Sequence, residues 1–154
     1  MLESLQEAGD ELKRADHLIY VSLKYTRTVD VIKNIIERFI NAYDFLTNAL
    51  LKKKIDEGAL EKLPTSPLER AEDVVKFFPD EKVKQNMDIY LLFRKISTAD
   101  FDRSQEFRRH VTMTAKMKDG TEILVDIDKL YEHYKIIKEF FNFVRQTLGD
   151  TAND

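Results

Sequence analysis

The chain has 154 residues, 43% apolar and 34% charged, which suits one folded domain burying about 70% of its unfolded surface and excludes disorder. Its 25 basic and 28 acidic residues leave a net charge of −3, which argues against a uniformly basic nucleic-acid surface but permits a local basic patch. There is no Cys, so disulfides, thiolate metal sites and cysteine nucleophiles are excluded.

No apolar run approaches the ~18 residues of a membrane span. The opening MLESLQEAGDELKR is acidic and has no apolar signal core. The expectation is a cytoplasmic protein without membrane contact.

With 4 Gly and 3 Pro, each breaker carries information. Ser4 followed by Glu7 is a capping box and predicts the start of the first helix. Its apolar stripe runs Leu5, Ala8, Leu12, Ala15, Ile19, Ser22, Thr26 and Val29, widened by Leu18, Val21, Leu23 and Tyr25. A second stripe runs Ile32, Ile36, Phe39, Tyr43, Leu46 and Leu50, flanked by Val31, Ile35, Ala42, Phe45 and Ala49. The two successive three-residue steps from Thr26 to Val29 to Ile32 break the phase. Thr28 before Asp30 can cap a new helix, so a break is expected at Thr26–Thr28.

Lys52, Lys53 and Lys54 suit the negative end of the second helix. Gly58 and the segment from Pro64 to Pro67 form the first clear loop. Ser66, Pro67 and Glu69 then predict a short third helix ending at Phe77-Phe78, before Pro79. Pro79-Asp80 opens a fourth helix carrying Val83, Met87, Tyr90, Leu91 and Arg94.

Residues 97–109 are polar and aperiodic and read as a loop. A β-hairpin follows at about 110–127. A three-residue turn, Lys118-Asp119-Gly120, pairs Val111 with Ile127, Met113 with Val125, Ala115 with Ile123 and Lys116 with Glu122. It places Gly120 in the left-handed position of a bulged turn. A two-residue turn would pair Met113 with Asp126 and mix apolar with acidic groups on one face. The last helix starts around Asp128, carries Leu130, Tyr134, Ile137, Phe141, Val144 and Leu148, and ends at Gly149. Residues 150–154 read as a frayed tail. The predicted fold is mainly α, one domain over 1–149: an antiparallel bundle of about five helices with one β-hairpin inserted before the last.

Chemistry is sparsely signalled. No Gly-rich phosphate loop, GxSxG, HExxH or EF-hand spacing occurs, and the Glu-x-x-His of di-metal bundles is absent, so no cofactor or metal is expected. His17 and His133 read as polar-face residues. His110 stands apart, because the hairpin register places Asp126 and Asp128 near it. A His between carboxylates can move a proton or hold a metal weakly. The plainer reading has Asp128 capping the last helix while His110 and Asp126 decorate a wet sheet face. Arg103, Arg108 and Arg109 interleave with Phe101 and Phe107, which suits phosphate binding with base stacking. The same residues equally suit a loop folded over the bundle.

The element Arg103-Ser-Gln-Glu-Phe-Arg-Arg-His110, in a Lys/Glu-rich, Cys-free helical bundle, resembles the HEPN superfamily of prokaryotic RNA-associated proteins. That resemblance implies that Arg103 and His110 act as a catalytic pair at a dimer interface, cleaving RNA without metal. The family's motif opens a helix, whereas this one runs from a loop into a strand.

Three functions follow as expectations. The first is a non-enzymatic interaction or scaffold protein, homodimeric. Its dimer rests on the small residues Ala8, Ala15 and Ser22 alternating with Leu5, Leu12 and Ile19, and on apolar surface in surplus on the second and last helices. The second is RNA binding, or metal-independent RNA cleavage, through Arg103, Arg108, Arg109 and His110, with Phe101 and Phe107 stacking. A third is a small-molecule site inside the bundle.

Overall fold

The computed structural model describes residues 1–149. Helix α1 (Leu2–His17) begins earlier than its capping box predicts. Met1 occupies the cap position without a side-chain bond, and Ser4 is a buried residue inside the helix, its Oγ accepting from Lys52 Nζ at 3.1 Å. The predicted cap is therefore an interhelical contact. Leu5, Ala8, Leu12, Ala15 and Ile19 are buried as the periodicity requires. After His17 the helix widens into one π-helical turn (Leu18–Ser22) and closes with a short α-turn (Leu23–Tyr25). The wide turn carries the stripe from Ile19 to Leu23. Ser22 is only half-buried, and Val21 and Tyr25, expected to widen the stripe, face solvent.

The break falls where it is predicted. Thr28 is extended, and its Oγ1 accepts from Val31 N at 3.4 Å to open α2 (Val29–Asp56). This helix is the axis of the bundle and packs against each of the other four. Its two apolar stripes, which include Ile35, Phe39, Ala42, Leu46 and Ala49, are thereby consumed inside one chain. Ala8 and Ala15 are fully buried, on the helix that packs most extensively against α2. The small-residue stripe is thus core packing, and the dimer argument built on it falls.

Ser66 caps α3 (Pro67–Phe77) by accepting from Glu69 N at 3.0 Å, with Pro67 in the first turn. Asp80 caps α4 (Glu81–Thr98) through Lys82 N at 2.7 Å. Two polar links, the first fully buried, tie α4 to α2. Tyr43 donates to Asn86 Oδ1 at 2.7 Å, and Tyr90 donates to Asp44, which also pairs with Arg94 at 3.3 Å.

Residues 97–109 do not remain a loop. They hold β1 (Asp100–Ser104), which pairs antiparallel with β2 (Thr112–Lys116), so the hairpin of β2 and β3 (Glu122–Asp126) is part of a three-stranded sheet in the order β1-β2-β3. The missed strand has a mainly exposed, polar pattern with only Phe101 half-buried, which gives no alternating signal. Phe101 faces Ala115 and Asp102 faces Thr114. The β2–β3 register is the predicted one: Met113 faces Val125, Ala115 faces Ile123 and Lys116 faces Glu122. Gly120 has φ +91°, and Met117 N donates to Thr121 O at 2.9 Å across the three-residue turn. Val111 and Ile127 lie just outside the ladder, because the chain has already turned into α5 (Ile127–Thr147). Its cap is Asp126, which accepts from Lys129 N at 2.9 Å, and not Asp128, which lies in the first turn. Gly149, at φ +78°, follows the helix end. The tail expected at 150–154 lies outside the described residues.

Candidate functional site

Three departures from regular backbone meet at one end of the bundle. The first is the π turn of α1, a feature that often marks functional sites because it re-aims side chains within a helix. The second is the break at Thr26–Thr28. The third is the strap joining β1 to β2 (105–111), where Gln105 and Phe107 adopt left-handed φ values of 57° and 65°. Neither is Gly, so each carries backbone strain that its surroundings must hold in place.

Two contacts hold it. Phe107 N donates to Arg27 O at 2.6 Å, and Glu106 Oε2 accepts from the amide of Val29, the first residue of α2, at 3.0 Å. Sequence reading assigned Glu106 no role; in the fold it caps a helix 77 residues away in the chain. The strap is thus latched to the helix break, and it presents Phe107 outward at 77% exposure, while Tyr25, just before the break, is 79% exposed.

Beside the strap lies a cleft of about 350 Å³. The π turn and short turn of α1 contribute Tyr20, Leu23 and Lys24. The break contributes Arg27, the strap Arg109 and His110, and the start of α5 Asp126, Ile127, Asp128 and Tyr131. Tyr20 and Tyr131 rings stand 5.3 Å apart, and Tyr20 meets Tyr134 edge-on at 6.1 Å. Tyr134 is itself fixed by donating to Asp16 at 2.7 Å. Burial first, then the Asp16 carboxylate, holds its phenol above the ordinary range.

The cations of this corner are uncommitted. Arg14 and Arg38 pair with Glu11, Arg70 binds the carbonyls of Pro64 and Thr65, Arg94 pairs with Asp44, and Arg103 pairs with Asp30 and Glu106. Arg27, Arg108 and Arg109 form no ion pair or side-chain hydrogen bond among the described residues, and Arg27 Nε is buried without a partner. Asp126 is occupied as the α5 cap. Asp128 is an exposed acceptor on the same lining.

The residues singled out in the sequence separate into two places. His110, Asp126 and Asp128 line one cleft together with Arg109, although His110 and Asp128 lie outside the β2–β3 ladder. Arg103 does not line that cleft. It lies on β1, 2.9 Å from Asp30 and 3.4 Å from Glu106, with its guanidinium 5.3 Å from the Phe101 ring. The Arg103 hydrogen bond holds the Asp30 carboxyl below the usual range. Phe101 is half-buried between Arg103 and Lys33, whose Nζ lies 4.5 Å from the ring centre. Arg108 and Phe107 are exposed on the strap. Arg103 is engaged with Asp30 and Glu106 outside the cleft that His110 lines.

Tyr20, Lys24, Arg27 and Tyr131 were not singled out in the sequence. For Tyr20 and Lys24 the one signal is the step in the α1 stripe, where Leu23 replaces Ser22 after Ile19. No group of three or more His, Asp or Glu that could hold a metal occurs among the described residues, and none of their helices is long and apolar enough to cross a membrane. No family model matches the chain, and no curated protein or solved structure matches it.

Proposed function

We propose that this protein is a non-enzymatic interaction protein, a scaffold or regulatory partner whose contact surface is the corner built from Tyr25, Phe107, Arg108 and Arg109. One observation carries this reading: Phe107 is held outward in a left-handed conformation by bonds to the start of α2. Backbone strain maintained to expose an aromatic beside arginines suits an interface anchor, since aromatic and Arg side chains dominate interface hot spots. The partner is a second copy of the chain. Light scattering at high micromolar concentration tests it: the wild type should run as a dimer, and Phe107→Ser should shift it to monomer without lowering its melting temperature. A monomeric wild type refutes self-association.

A second reading, RNA binding, is favoured by the uncommitted Arg27 and Arg109 beside two tyrosines, with Arg108 exposed on the adjoining strap. Cations over stacking platforms are how single strands are held. Binding of a mixed single-stranded RNA pool should weaken steeply as salt rises. Salt-independent binding, or none, refutes this second reading.

A further inference from the structure

Resting on the RNA-binding reading, we propose that the cleft under the strap is a pocket for one ribonucleoside phosphate. A phosphate needs donors that are not already neutralised. Lys24, Arg27 and Arg109 line the cleft and form no ion pair among the described residues, whereas Arg14, Arg38, Arg70, Arg94 and Arg103 are engaged. Guanidinium groups match phosphate oxygens two at a time. The buried, unpartnered Nε of Arg27 is a donor at the cleft wall for which the fold supplies no acceptor.

A flat ring needs an aromatic face. Tyr20 and Tyr131 supply two; Tyr20 packs edge-on against Tyr134, which is fixed by its bond to Asp16. A ribose needs an acceptor for its hydroxyls, and Asp128 is a carboxylate on the same lining. That carboxylate would repel a bare phosphate but can accept from a diol, so it selects the nucleotide over the inorganic ion. The volume, about 350 Å³, lies at the small end of ligand pockets and suits a mononucleotide unit.

The test is calorimetric titration of the intact protein at low ionic strength with adenosine 5′-monophosphate, adenosine and inorganic phosphate. The monophosphate should bind at least tenfold more tightly than either part. Arg109→Gln and Tyr20→Ala, both exposed positions, should each weaken it tenfold or more, with melting temperatures checked beside the wild type. Lys84→Gln, an exposed cation on α4, should leave binding unchanged.

A 5′-phosphorylated oligonucleotide and its 5′-hydroxyl twin identify the source of the ligand. Preference for the phosphorylated end assigns the pocket to RNA termini. Binding of the mononucleotide alone assigns it to free nucleotide and removes the RNA reading while the pocket stands. Monophosphate binding no tighter than inorganic phosphate overturns the proposal, as does binding indifferent to Arg109 and Tyr20. Salt-dependent RNA binding with no mononucleotide binding overturns the pocket and leaves the RNA reading intact.

Discussion

Removing the Glu106 latch should destabilise two segments at once. Glu106 accepts from the amide of Val29, and Val29 is fully buried. In Glu106→Ala that donor loses its acceptor and cannot reach water, a loss of ~1–3 kcal/mol for an unsatisfied buried group. Loss of a helix cap measured by itself falls in an overlapping range of ~0.5–2 kcal/mol, so about 2 kcal/mol is expected. The exposed Arg103 contact at 3.4 Å adds little to that figure. For a domain of this size the loss lowers the melting temperature by roughly 4–8 °C. Glu106→Gln keeps an oxygen acceptor and loses only the charge at the helix N-terminus, so it should cost about 0.5 kcal/mol. Thermal unfolding followed by far-UV circular dichroism gives the magnitude. Hydrogen exchange should show faster exchange at residues 105–111 and at Val29, with the centre of α2 unchanged. An alanine variant that melts within about a degree of wild type would refute the latch.

Other outcomes follow from single positions. Gly120→Ala should lower stability by about 1 kcal/mol through its positive φ, since a Cβ there meets nothing within 4 Å, whereas Gly9→Ala, inside α1 and in ordinary contact with Phe141, should raise it by about 0.5–1 kcal/mol. In melting curves of the pair, an unchanged or raised midpoint in Gly120→Ala would refute the turn geometry. Ala15→Leu should cost roughly 1–3 kcal/mol in urea unfolding at any protein concentration, because Ala15 lies in the core of one chain. A cost that disappears on dilution would instead return Ala15 to a dimer interface. Tyr90, pushed up to about 12 mainly by burial and then by Asp44, favours the protonated folded state; its contribution is complete below the ordinary phenol value near 10 and is lost as pH rises toward 12. Stability measured from pH 9 to 12 should fall across that window, and Tyr90→Phe should make the fall shallower; an identical slope would place the cause elsewhere.

The helices were legible because burial imposes a period, and Ser66, Asp80 and Thr28 announce their starts with side chains that accept the first free amides. The β2–β3 register was legible because the competing register puts Met113 opposite Asp126. β1 was not: its burial is mainly exposed, and its partner strand, rather than a core face, specifies it. Ser4 misled because a capping box and a buried interhelical hydroxyl look alike in one dimension. The apolar surplus of the second helix misled because a helix at the axis of a bundle uses two stripes without a second chain. At the site, strand pairing brings β2 to Asp126, while His110 and Asp128 reach the same cleft from the strap and the start of α5. Tyr20 and Arg27 were not legible as site residues: the break beside Arg27 is announced by Thr28, but the π turn that re-aims Tyr20 has no residue signature.

The same distinction bears on function. The bundle closes its core with Ile19, Leu23, Val29 and Ile32, all buried, and that closure does not require Phe107 or Gln105 to be left-handed. Each strained residue raises the free energy of the fold by about 1–3 kcal/mol unless bonds elsewhere offset it. Here the offsetting bonds are known: Phe107 to Arg27, and Glu106 to Val29. Both run to the helix break, so the strap, the break and the π turn form one fixed rim around the cleft. A rim fixed before its ligand or partner arrives spares the ordering entropy that a floppy loop would lose on binding. The irregular backbone at this end thus carries strain that the strap's own bonds to Arg27 and Val29 offset, beside arginines that have no ion pair among the described residues.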